Sequence, residues 1–241
     1  MISVCLAAYN GEKYIREQLV SILVQLGDGD EVIVSDDGST DRTLAIVEEL
    51  NDSRIRILRH VKSESYPNTY DYTTHNFENA LRHAKGDVIF LSDQDDVWLP
   101  HKVETMSGAL NRCLLAVSDC KVADASLRTL HESYFAQNGS RRGIFRNLWH
   151  NSFLGSCMAF RRELLARALP FPPSFVPHDI WLGMVASYWG EVDFIRRPLM
   201  LYRRHDAAVS SAGRRSRLPI FSKLRYRIHI IKYLYARIYG K

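Results

Sequence analysis

The chain has 241 residues, 46% of them hydrophobic and 24% charged, with 13 Gly, 8 Pro and 4 Cys. This composition excludes a disordered segment, a collagen-like repeat and a disulfide-stapled miniature domain, and the length favours one large-cored domain with an appendage. The formal charge of +5 is unevenly spread: residues 207–241 hold nine Lys and Arg and no acid, so residues 1–206 carry 23 basic against 27 acidic side chains.

Residues 2–8 form a short apolar run closed by Asn10-Gly11, and Ile15, Leu19, Ile22, Leu23 and Leu26 follow at helical spacing. Residues 31–35 (EVIVS) read as a second strand, with Ser39 or Thr40 placed to cap a helix carrying Leu44, Ile46, Val47 and Leu50. A third strand over 54–58, a polar loop with Tyr66, Tyr70 and Tyr72, and a helix over 74–85 precede a fourth strand over 87–91 (DVIFL). Strand and helix alternating at this spacing predict a parallel, right-handed α/β sheet covered on both faces. Beyond it, 114–122 reads as a strand, 144–150 as a short helix, 153–160 as a buried strand and 180–188 as a helix. Within 216–241, Phe221, Leu224, Ile228, Ile231, Tyr235 and Ile238 mark one stripe of an amphipathic helix, with Lys223, Arg225, Lys232, Arg237 and Lys241 off it.

Cys5, Cys113, Cys120 and Cys157 have neither CxxC spacing nor the density of a disulfide framework, which fits a reducing compartment. No signal-peptide pattern opens the chain and no run is long enough to span a bilayer, so the expectation is a cytoplasmic protein whose membrane contact is peripheral, at the inner face of the cell membrane.

A sheet of this type binds ligands beyond the carboxyl ends of its strands. Three strands end there in polar residues: Tyr9-Asn10, Asp36-Asp37-Gly38-Ser39 and Asp93-Gln94-Asp95-Asp96. Three carboxylates within four residues repel one another unless a cation sits among them, and hard oxygen ligands suit Mg2+ or Mn2+. The alternative is an acidic turn with helix-capping Asp residues ahead of Pro100. Neither GxGxxG nor GxxxxGK[ST] occurs, so the candidates for nucleotide contact are strand-end carboxylates such as Asp36 and Asp37, which can accept from a base N–H or a ribose hydroxyl while Gly38 turns the chain.

The ordered segments AAYN, VSDDGSTD, GDVIFLSDQDDVWLPHKV, GSCMAFRREL, HDIW and YRRH resemble family 2 glycosyltransferases of the GT-A fold, in particular bacterial rhamnosyltransferase-type members of O-antigen and capsule assembly. The resemblance spans about residues 1–210. It implies an α/β fold with a mixed, mostly parallel central sheet flanked by helices. The implied catalytic domain covers 1–213, with a nucleotide-sugar half (1–98) and an acceptor half (99–213), and 214–241 form a basic amphipathic tail. By the same resemblance Ala8, Tyr9 and Asn10 sit by the nucleotide, Asp37 contacts the base, and Asp93 lies near the ribose. Asp95 is then the ligand of Mn2+ or Mg2+, with Asp93 and His205 as further candidates and Asp96 acting through water. Asp179 matches the catalytic base. Gly155 begins the segment lining the acceptor pocket, where Trp149 and Trp181 are candidates to stack on a sugar.

Read without the resemblance, Asp179 is a helix N-cap before Ile180, His205 a surface histidine, and either Trp a core residue. The implied reaction is an inverting, metal-dependent transfer of one sugar from a UDP-, dTDP- or GDP-linked donor to a saccharide acceptor, carried on a lipid such as a polyprenyl. Two other classes compete: a nucleotidyltransferase, whose Gly-rich N-terminal loop is missing, and a non-catalytic, membrane-recruited nucleotide-sugar-binding module. The absence of QxxRW argues against processive synthases. The tail fits an anionic membrane surface, or docking on the catalytic domain or on a second copy as a homodimer; no nucleic-acid recognition motif is present.

Overall fold

The structure, a computed structural model, describes residues 1–61, 66–205 and 220–240. Strand β1 (Ile2–Ala8), helix α1 (Ile15–Leu23), β2 (Glu31–Asp36), α2 (Thr43–Glu49), β3 (Ile55–Arg59), α3 (Thr69–His83) and β4 (Val88–Asp93) form a parallel unit ordered β3-β2-β1-β4. Val4, Cys5, Leu6, Val32, Ile33 and Val34 are all inaccessible, the burial on both faces that near-continuous apolar strands require.

The second half contributes β5 (Val97–Trp98), α4 (Lys102–Ala109), β6 (Leu115–Ala123), β7 (Thr129–His131), α5 (Tyr134–Asn138) and α6 (Ile144–Trp149). A 3-10 turn (Gly155–Cys157), β8 (Met158–Arg161), α7 (Leu165–Ala168), α8 (His178–Trp189), β9 (Val192–Arg203) and α9 (Ile220–Tyr239) follow. The sheet continues from β4 through β8, β6 and β9 to β5, with β8 antiparallel to both neighbours and β9 parallel to β6. It is therefore mixed.

Several elements differ from their sequence reading. Helix α3 starts at Thr69 rather than 74, because the Asn68 side chain accepts from the N–H groups of Tyr70 and Asp71. Neither Ser39 nor Thr40 caps α2; Asp41 instead accepts from the Thr43 N–H at 2.9 Å. The strand expected over 153–160 pairs only from Met158, preceded by the 3-10 turn. Strand β9 was not anticipated. Arg196-Arg197-Pro198 interrupts its apolar pattern, and the register shifts against β6 where Asp119 faces Pro198, a bulge that tolerates a residue without an N–H.

Helix α9 has two apolar faces. Ile230 and Leu234 are buried, and Tyr226, Tyr233 and Ile238 pack beside them on the core. Arg227 donates to the carbonyls of Leu148 (3.1 Å) and Trp149 (2.8 Å), and Arg237 to those of Leu169 (2.5 Å) and Pro170 (2.6 Å). The stripe read from the sequence divides between the two faces: Ile238 packs on the core, whereas Leu224, Ile228, Ile231 and Tyr235 are exposed on the other face, Ile228 at 55% and Tyr235 at 64%. The boundary expected at 213/214 and the side chains of Phe221 and Lys223 lie outside the described residues. Among the described residues no helix is long and apolar enough to cross a membrane.

Candidate active site

In-register pairing of β1 with β2 and β4 brings their carboxyl ends to one edge. The Ala8 side chain is buried; its carbonyl accepts from the Asp37 N–H (2.8 Å) and from Asn76 Nδ2 (3.3 Å). Asp36, expected at the nucleotide, spends both oxygens on its own turn, accepting from the N–H groups of Gly38 and Ser39 and from Ser39 Oγ. Gly38 permits that turn with φ +81°, in the left-handed region. Asp37, the next residue of that turn, is buried, and its Oδ1 accepts from His60 Nδ1 at 2.8 Å. Asn10 ties the two loops together: its N–H donates to Ser39 Oγ and its Oδ1 accepts from the Thr40 N–H, both at 2.9 Å. Tyr9 is half exposed, and Gln94 pairs with its backbone as a neighbouring strand would, accepting from the N–H (2.8 Å) and donating to the carbonyl (2.9 Å).

At the end of β4, burial and the negative charges of Asp95 and Asp179 push the Asp93 carboxyl up to about 7. Asp95 Oδ2 and His205 Nε2 are 2.7 Å apart. Asp96, expected to support a metal through water, is fully buried and points away: one oxygen accepts from the Arg203 N–H at 2.9 Å. Burial and the neighbouring Asp95 and Asp93 charges raise its carboxyl well above the ordinary range. Behind this loop lies buried Lys102, whose Nζ donates to the Ser156 carbonyl (2.8 Å) and sits 4.9 Å from the Trp98 ring centre; burial lowers its pKa.

A cation such as Mg2+ or Mn2+ is commonly held by one or two protein groups together with water and substrate phosphates. The facing Asp95 and His205, with Asp93 in electrostatic reach, fit that mode. They do not make an all-protein cage, and among the described residues no group of three or more His, Cys, Asp or Glu is gathered to hold a metal.

Asp179 lies in the first turn of α8, behind Pro177 at the N-cap position. Its Oδ1 accepts from the Ile180 N–H (2.7 Å) and its Oδ2 from Asn151 Nδ2 (3.4 Å). Burial pushes this carboxyl up to about 6 against the lowering effect of those bonds. His178 packs on the Phe77 ring at 4.3 Å, and burial pushes its pKa down to about 3. Gly155 lies beside this pair: a Cβ there would be 2.7 Å from His178 Nε2. The acceptor assignment of Trp181 is corrected, since it is fully buried with its Nε1 donating to the Ala168 carbonyl (2.9 Å) and offers no face to a sugar. Trp149 is 65% exposed at the end of α6, with the Arg227 guanidinium 4.8 Å from its ring centre. Tyr66 is occupied by helix α3, stacked on His75 and edge-on to Tyr72.

The model of the family described as "Glycosyl transferase family 2" matches residues 3–169, more than half of the chain. The chain belongs to glycosyltransferase family 2. This glycosyltransferase is 26% identical over 246 residues to the dTDP-rhamnosyl transferase RfbG of Shigella flexneri, covering 94% of the chain and 82% of that protein. It is 34% identical over 104 residues to the UDP-Glc:alpha-D-GlcNAc-diphosphoundecaprenol beta-1,3-glucosyltransferase WfgD of Escherichia coli, over 43% of the chain and 38% of that protein. Its fold matches the crystal structure of S. aureus TarS 1-349 in complex with UDP-GlcNAc, with a TM-score of 0.70 at 18% identity over 99% of the chain and 66% of TarS 1-349. It also matches the mannosyltransferase PcManGT from Pyrobaculum calidifontis in complex with GDP-Man and Mn2+, with a TM-score of 0.55 at 19% identity over 97% of the chain and 69% of that one. The fold is thus GT-A. The chain spans less than two thirds of the length of WfgD and slightly less than two thirds of TarS 1-349.

Around the candidate site lie residues of this glycosyltransferase that sequence reasoning passed over. Arg203 is buried; its Nε donates to the Asp95 carbonyl (2.6 Å), Nη1 to that of Ala125 (2.8 Å) and Nη2 to Glu17, while its guanidinium lies 4.4 Å from the Tyr14 ring centre. Tyr14 in turn packs on His205, with ring centroids 5.0 Å apart. One arginine therefore supports both Asp95 and His205. Its only sequence signal was its place in Tyr202-Arg203-Arg204-His205. Gln94 and Lys102 lay inside the quoted acidic block, but nothing in spacing distinguishes a backbone-pairing amide or a buried ammonium from exposed side chains.

Proposed function

We propose that this glycosyltransferase moves one sugar from a nucleoside-diphosphate sugar to a saccharide hydroxyl with inversion, Asp179 acting as general base. The supporting observation is a buried carboxyl near pKa 6 within electrostatic reach of Asp93, which adjoins the Asp95–His205 pair that would hold the cation. Asp37, held by His60, and the Tyr9-Asn10 loop lie on the nucleotide side. Asp179 takes the proton from the acceptor hydroxyl, the oxygen attacks the anomeric carbon opposite the diphosphate, and the bond to the leaving oxygen breaks as nucleoside diphosphate departs. Asn151 and the Ile180 N–H orient the carboxylate. Asp95 and His205 would hold Mn2+ or Mg2+, a charge that offsets the one building on the leaving diphosphate.

The names of RfbG and WfgD favour a dTDP- or UDP-linked donor and a lipid-diphosphate-linked saccharide acceptor in bacterial surface polysaccharide synthesis. The exposed stripe of α9 favours peripheral attachment where such an acceptor resides. The deciding experiment compares Asp179→Asn with the wild type, using dTDP-rhamnose and UDP-glucose and following release of nucleoside diphosphate. Turnover should fall about 10²–10⁴-fold with donor affinity preserved. Wild-type turnover in the variant would remove Asp179 from the base role.

A further inference from the structure

Two of the contacts that helix α9 makes with the rest of the chain bracket Asp179. On one side Arg227 bonds the carbonyls of Leu148 and Trp149 and stacks on the Trp149 ring, fixing the segment that leads into Asn151, whose amide reaches Asp179. On the other, the Arg225 guanidinium lies 4.1 Å from the Phe175 ring centre and the His229 ring 5.2 Å from it. Phe175 is three residues ahead of His178, and its N–H donates to Asp71 of α3 at 3.0 Å. Between these clamps Tyr226 is partly buried and packs on the core. Burial and the Asp179 charge raise its hydroxyl pKa, Arg227 opposes them, and Tyr70 of α3 adds a further small rise.

We infer that α9 forms a wall of the acceptor site and that Tyr226 binds the acceptor sugar whose hydroxyl faces Asp179. This rests on Asp179 being the base. The chemistry suits a neutral saccharide. A phenol ring covers the C–H face of a pyranose, and its hydroxyl donates to or accepts from ring hydroxyls beside the Asp179 carboxylate, which would repel an anion there. The segments that α9 holds, Leu148-Trp149 and Phe175, lead into Asn151 and into His178-Asp179, the side of the proposed base, which favours an acceptor role over a donor role. Exposed Trp149, under Arg227, lies at the rim of the same wall.

The test is binding, read apart from turnover. Saturation-transfer difference NMR on the full chain would use two probes, α-GlcNAc-diphosphate with a short alkyl chain and methyl α-rhamnoside, with dTDP and UDP as nucleotide controls. Tyr226→Phe should weaken binding of the saccharide probe about fivefold and Tyr226→Ala more. Nucleotide affinity and melting temperature in Tyr226→Phe should stay at wild-type values, and Ile231→Ser on the outer face should change neither. In turnover assays the acceptor KM should rise while donor KM and donor hydrolysis hold. Unchanged probe binding in both Tyr226 variants, no probe binding to the wild type, or equal loss of nucleotide binding overturns the inference. Tyr226-dependent probe binding without transfer from any donor would instead overturn the transferase reading and leave the acceptor wall standing.

Discussion

Asp179 is poised between opposing effects: burial raises its carboxyl, while the Ile180 N–H and the Asn151 amide favour the charged form. The outcome near 6 has a sign that can be tested. A general base must be ionised to accept a proton, so kcat/KM should fall as pH drops through about 6 and level off above it. A pH–rate profile with its acidic limb near 4 would instead point to an ordinary exposed carboxylate. The same residue depends on Gly155, because a methyl there would stand 2.7 Å from His178 Nε2 and that ring is backed by Phe77. Gly155→Ala should cost about 1–3 kcal/mol in chemical denaturation by overpacking. It should also reduce turnover, since His178 and Asp179 are adjacent and must move together. Loss of stability without loss of turnover would show that Asp179 tolerates the shift.

The acidic loop after β4 keeps its shape because β9 returns beside it and delivers Arg203 and His205. Arg203→Lys keeps one positive charge but loses the fork that bonds Asp95, Ala125 and Glu17 together, and the flat stack on Tyr14. It should cost about 2–3 kcal/mol on unfolding and weaken the rise in melting temperature produced by Mn2+; Asp95→Ala should abolish that rise. A full Mn2+ response in Asp95→Ala would put the cation elsewhere. Much of this architecture was legible beforehand where one local signal dominates. The apolar runs of β1, β2 and β4 and their polar ends reveal the parallel unit and its ligand edge, because strands buried on both faces leave no other pattern. Strand β9 was hidden because Arg196, Arg197 and Pro198 are accommodated by a bulge, a tertiary solution without a periodic trace. Asp36 and Asp37 are chemically alike and adjacent, yet one binds its own turn and the other pairs with His60; only the backbone path distinguishes them. Trp181 and Trp149 were separated likewise by packing alone.

Across the whole molecule, charge and apolar surface are divided between two regions. The acidic excess lies in residues 1–206 and the basic excess in 207–241. The structure divides the basic side chains again: Arg227 and Arg237 spend donors on backbone carbonyls of Leu148 and Leu169, whereas Arg225 and Lys232 remain exposed. The two faces of α9 therefore predict opposite responses. Ile230 is fully buried, so Ile230→Ala should cost about 2–5 kcal/mol and lower the melting temperature. Leu224, Ile228, Ile231 and Tyr235 are already largely in water, so replacing all four with Ser should change stability by no more than about 0.5 kcal/mol each. If that face rests on an anionic bilayer, the quadruple variant should lose most of its co-sedimentation with vesicles containing phosphatidylglycerol, while nucleotide binding holds. High salt should weaken wild-type binding, because exposed cations contribute beside the apolar stripe. Wild-type co-sedimentation by the quadruple variant would remove the stripe from any membrane role. A concentration-dependent dimer that the same four substitutions convert to monomer would identify the face as a contact between two copies instead.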